Sequence, residues 1–106
     1  MMPIPISIPP TTFEHAADDA FADCMNLLVK KQRDYGPGNI LAFGELGILV
    51  RLNDKIERLK HLQATGKLNE PANESVTDTW MDIASYAIIA LMLRRGTFEL
   101  PLEAKE

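Results

Sequence analysis

The apolar stretch IASYAIIALML, from Ile83 to Leu93, constrains this chain more than any other. A helix of that composition is apolar nearly all round, broken only by Ser85 and the Tyr86 hydroxyl. It must be covered by other elements on most of its sides. It is far shorter than the ~20 apolar residues needed to span a bilayer, so protein must do the covering. Two carboxylates, Asp78 and Asp82, stand one helical turn apart at its entrance. A carboxylate at a buried position is costly unless paired, hydrogen-bonded or bound to metal. The helix therefore needs both apolar neighbours and polar ones.

A chain of 106 residues suits one domain with a modest core, which makes subunit association an expectation. Hydrophobic residues at 46% and charged residues at 25% are ordinary for a soluble globular protein. A net charge of -4 argues against a nonspecific grip on DNA or anionic lipid. Neither a stable nucleic-acid complex nor a membrane partner is expected, whereas a small anion held by a few local cations is compatible. Cys24 is the only cysteine, which rules out an intrachain disulfide and a cysteine-based zinc cluster. Its apolar neighbours suggest a buried, inert thiol. The N-terminal MMPIPISIPP lacks the basic region and unbroken apolar core of a secretion signal, and its prolines prevent a continuous helix. Residues 1–12 read as an arm, either free or packed on a neighbouring subunit, and the protein reads as cytoplasmic.

Three helices account for the rest. Thr11 or Thr12 can cap the first, with Thr11 and Glu14 in capping-box spacing. Phe13, Ala17, Ala20, Phe21, Cys24, Leu27 and Leu28 then recur at steps of three and four. This helix closes on KKQRDYG, basic charge followed by glycine, and Gly36-Pro37-Gly38-Asn39 reads as a tight loop. A second helix is expected from about Leu41 or Gly44 to Ala64, with Ile48, Leu49, Leu52, Ile56, Leu59 and Leu62 as its apolar stripe. Ser75 and Asp78 open a third, which runs to Arg95 and stops at Gly96. The expected fold is all-α. It is a small bundle of three main helices over residues 13–96, completed by a short extra helix or by oligomerisation, with a short tail over 97–106. Trp80 is expected in core or interface packing, and His15 and His61 at the surface.

The charged residues suggest a site. Asp54 and Glu57 are spaced i, i+3 on the second helix, and Asp78 and Asp82 are spaced i, i+4 on the third. If the helices pack antiparallel, four carboxylates can converge into a cage suited to Mg²⁺ or Mn²⁺. Lys31, Arg51, Lys55 and Arg58 are placed to balance phosphate charge. Tyr35 can stack on a base and Asn39 can hydrogen-bond its edge. The plainer alternative is a solvated, salt-bridged face, with Arg51 or Arg58 pairing Asp82.

The segments KKQRDYG, GELGILVRLNDKIERLKHL and ESVTDTWMDIASYAIIALML resemble the MazG-like all-α NTP pyrophosphatases, and more closely a phage and bacterial branch associated with nucleotide modification. The resemblance covers roughly residues 27–95. It implies Mg²⁺ held by paired acids in two helices, cleavage of nucleoside triphosphates to monophosphate and pyrophosphate, and assembly as dimers or tetramers. Asp54 and Glu57 match the first acidic pair, and Asp82 matches the last acid of the second. The remaining position is Thr79, so Asp78 would have to substitute for it. On this reading Glu57 orients or deprotonates the attacking water, and the protein is a metal-dependent nucleotide pyrophosphohydrolase. The alternatives are a protein that binds a nucleotide or cyclic nucleotide without turnover, and a helical interaction module without ligand.

Overall fold

The computed structural model describes residues 9–70 and 74–104, all of its regular structure being helical. Helix α1 spans Phe13–Tyr35, α2 spans Gly38–Ala64 and α3 spans Glu74–Arg95. The all-α expectation therefore holds. Of the N-terminal arm, residues 1–8 lie outside the described residues, while Pro9 to Thr12 are exposed.

Local chemistry sets the boundaries. Thr12, not Thr11, caps α1: its hydroxyl accepts from the His15 amide at 3.2 Å. That puts Glu14 one position out of register for the capping box. At the other end Gly36 takes φ 71° and returns its amide to the Gln32 carbonyl at 2.9 Å. The expected four-residue loop is shorter than its composition suggests. Gly38 and Asn39 are already helical, because the Pro37 carbonyl accepts from the Leu41 amide at 3.0 Å and starts α2. The two candidate starts of α2 have a common origin. The helix bends at Gly44, whose φ of 59° and ψ of -147° only glycine adopts readily. Close by, a Cβ at Gly47 would sit 2.6 Å from the Phe43 Cβ. Ser75 is not a cap: it lies inside α3, and its hydroxyl accepts from Arg58 at 2.7 Å.

Helix α2 runs antiparallel to α3. Glu45 holds Arg94 through two bonds of 2.8 and 3.1 Å, Ile48 and Ile89 share the core, Lys55 reaches Asp82, and Arg58 reaches Ser75. Helix α1 packs on α3 in the same sense, with Leu28 on the Ile48–Ile89 cluster and Lys31 on Asp82. Phe13 and Phe21, in the N-terminal half of α1, are exposed, at 83% and 69%. Cys24 is a free, half-buried thiol, not a fully buried one. His15 and His61 are exposed, as expected.

A single chain leaves part of α3 uncovered. Helix α3 is flanked by α1 and α2 but is not enclosed: Trp80, Ala87 and Leu91 form an open stripe, with Trp80 55% exposed. No fourth helix covers it among the described residues. Ser75–Arg94 is also long and apolar enough, with mean hydropathy 1.3, to pass for a membrane span by length and composition. It exceeds the Ile83–Leu93 run because two further turns precede it. Its Asp82 and its packing on both neighbours suit the core helix of a bundle.

The tail contributes to the core. Phe98, only 4% exposed, joins Ile48 and Ile89, and Arg33 donates to the Glu103 carbonyl at 3.3 Å. With so few fully buried apolar side chains, each matters. Phe98→Ala should cost about 3–5 kcal/mol of unfolding free energy in chemical denaturation, although the residue lies outside every helix.

Candidate functional site

The face that α2 turns to α3 runs through Ile48, Leu52, Lys55 and Leu59, at steps of four and three. Position 55 on this face carries an ammonium group, not a carboxylate. Asp54 and Glu57 stand about 100° and 200° around the helix from it, and both are exposed. Glu57 accepts from Lys60 at 3.0 Å. On α3, Asp78 is exposed. Thr79 is buried and donates its hydroxyl to the Ser75 carbonyl at 2.6 Å. The four acids expected to converge therefore do not do so, and no group of three or more metal-ligating side chains forms among the described residues.

Asp82 is the exception among the acids. Its side chain is 14% exposed and accepts from Lys31 of α1 at 2.7 Å and from Lys55 of α2 at 2.9 Å. The expected firm donor is present, but it is a pair of lysines and not Arg51 or Arg58. Burial pushes the Asp82 carboxyl up, and the two ammonium groups together outweigh it, holding the group below the ordinary carboxylate range. A carboxylate so neutralised, with two cations at contact, does not fit Mg²⁺ or Mn²⁺ in this arrangement. Asp54, Glu57 and Asp78 offer no converging oxygens to offset that repulsion.

Beside this cluster lies a cavity of about 300 Å³ between the three helices. Lys31, Arg51 and Asp82 are its charged lining residues. Leu28, Ile40, Tyr86 and Ile89 supply apolar wall, with Tyr35, Gly36 and Asn39 from the α1–α2 junction and with Gln32 and Ser85. The bend at Gly44 holds the first turn of α2, and with it Asn39 and Ile40, against this opening. Of the residues expected in a site, the cavity brings together Lys31, Tyr35, Asn39, Arg51 and Asp82, with Lys55 behind Asp82. Arg58 is elsewhere, on Ser75. Gln32, Tyr86 and Ser85 were missed as lining residues, although Ser85 and Tyr86 are the only polar breaks in the apolar run.

Lys31, Lys55 and Arg51 against Asp82 leave the site with a surplus of positive charge. Such a cavity attracts anions. The family model described as nucleotide modification associated domain 1 matches residues 31–93, which begin at Lys31 and include Arg51, Lys55 and Asp82. The chain belongs to this family. No curated protein and no solved structure is significantly similar to it.

The Asp82 ion pairs carry a pH signature. A carboxyl whose folded value lies below its unfolded value of about 3.9 stabilises the fold above that pH and loses the contribution as pH falls through the folded value. Asp82→Asn should cost about 1–2 kcal/mol at pH 7, moderated by the half-exposed lysines. It should also flatten the loss of stability below about pH 4, read from denaturation curves across pH.

Proposed function

We propose that the protein binds a nucleotide in the cavity between α1, α2 and α3. The observation that carries this reading is a cavity lined by Lys31, Arg51 and the partly buried Asp82, which Lys55 also holds, beside an apolar recess. Three cations answered by one anion leave charge for phosphate oxygens, and the apolar wall gives a ring somewhere to go. Tyr35, 77% exposed at the mouth, is free to stack on a base, and Asn39 lies beside it to hydrogen-bond an edge. Membership of a nucleotide-modification family accords with a nucleotide as ligand. The resemblance to MazG-like pyrophosphatases extends the ligand to a triphosphate.

Binding without turnover is the reading the geometry supports best. Glu57, the proposed base, is exposed, held by Lys60 and absent from the cavity wall. The deciding experiment titrates the protein with a panel of canonical, modified and cyclic nucleotides and assays pyrophosphate with and without Mg²⁺ or Mn²⁺. A rise in melting temperature with intact nucleotide is expected. Lys31→Ala and Arg51→Ala should each weaken binding about 10- to 100-fold, the usual loss for a charge-assisted hydrogen bond. Metal-dependent pyrophosphate release would replace this reading with the hydrolase. No response to any nucleotide would sink both.

We also propose that the working unit is a homo-oligomer. The Trp80–Ala87–Leu91 stripe and the exposed Phe13, Phe21, Phe43 and Leu46 are more apolar surface than a lone small domain tolerates well. Light scattering should give two or four times the 11.8 kDa chain mass. The double substitution Trp80→Glu, Leu91→Glu should return it to one.

A further inference from the structure

We propose that Ser85 recognises the nucleoside half of the ligand, a role that rests on the nucleotide reading above. Ser85 is 5% exposed, and its hydroxyl oxygen is buried with no hydrogen-bond partner. A hydroxyl within a helix has a ready partner in the carbonyl one turn back. Thr79, in the same helix, uses that bond at 2.6 Å. Ser85 makes no such bond, and the residue borders the cavity with its oxygen just beneath the wall, a turn of χ1 from the opening. An unpaired buried hydroxyl costs stability in the free protein. A ligand atom that completes its bonding recovers that cost on binding.

Position along α3 says which part of the ligand this is. Ser85 lies three residues beyond Asp82, about 4.5 Å along the helix axis. That puts it past the Lys31–Asp82 pair, on the way along α3 to Ile89. A phosphate held by Lys31 leaves its neutral portion opposite Ser85. The group bonded there is uncharged and polar, a sugar hydroxyl or a base edge. A serine hydroxyl both donates and accepts, so it serves either.

The test separates the two halves of the ligand. Wild type, Ser85→Ala and Lys31→Ala are titrated calorimetrically with inorganic tripolyphosphate and with matched deoxy- and ribonucleoside triphosphates. Ser85→Ala should bind tripolyphosphate within twofold of wild type and nucleotides about tenfold more weakly. Lys31→Ala should weaken both. A loss confined to ribonucleotides assigns the contact to the 2′-hydroxyl, and a loss that varies with base assigns it to the base edge. Free Ser85→Ala should melt at or above wild type, since alanine favours the helix and leaves no unpaired hydroxyl. Equal losses for tripolyphosphate and nucleotide, no loss for either, or a lower melting temperature would overturn the role of Ser85 while leaving nucleotide binding intact. Failure of the wild type to bind any nucleotide would overturn both.

Discussion

The structure turns on one carboxylate shared by two ammonium groups. Asp82 belongs to α3, Lys31 to α1 and Lys55 to α2, so a single side chain ties all three helices together. Replacing either lysine by an apolar residue unties one helix from α3, while the other ammonium group still neutralises Asp82. The tie also fixes register. It holds α1 and α2 to α3 on the same turn, one to two turns from the small apolar cluster of Ile48, Ile89 and Phe98. The cavity opens between that polar tie and that apolar cluster, and takes its two-sided character from them.

This arrangement changes what the acidic residues mean. Acids at helical spacing on neighbouring helices suggest a cation site only if both pairs lie on the facing sides. Here the facing side of α2 is set by Ile48, Leu52 and Leu59, and that phase brings Lys55 inward while turning Asp54 and Glu57 out. The resulting centre is cationic. One internal carboxylate holds its two lysines in place.

Much of the fold was legible because its signals are local. Apolar periodicity, a threonine cap, and glycines after α1 and α3 located the three helices and most of their ends. Asp82 was also legible as an acid in need of a donor. The identity of that donor depended on the phase of α2 against α3, which spacing within one helix does not contain. Phe98 was hidden for a similar reason. A lone aromatic in a charged, proline-containing tail gives no periodic signal, and its burial depends on the chain folding back onto α1. Ser85 was visible as a polar break but had no assigned purpose until its hydroxyl was seen to lack the internal bond that Thr79 makes.

The bend at Gly44 separates two tasks within α2. Beyond it, the helix is pinned to α3 by the Glu45–Arg94 clamp, Ile48 and Lys55. Before it, a short turn carries Asn39 and Ile40 at the cavity rim. A backbone conformation, not a set of side-chain contacts, defines the angle between the two parts. The entrance can therefore diverge between homologues through residues 37–43, changing what fits inside, while the hydrophobic scaffold behind it stays the same.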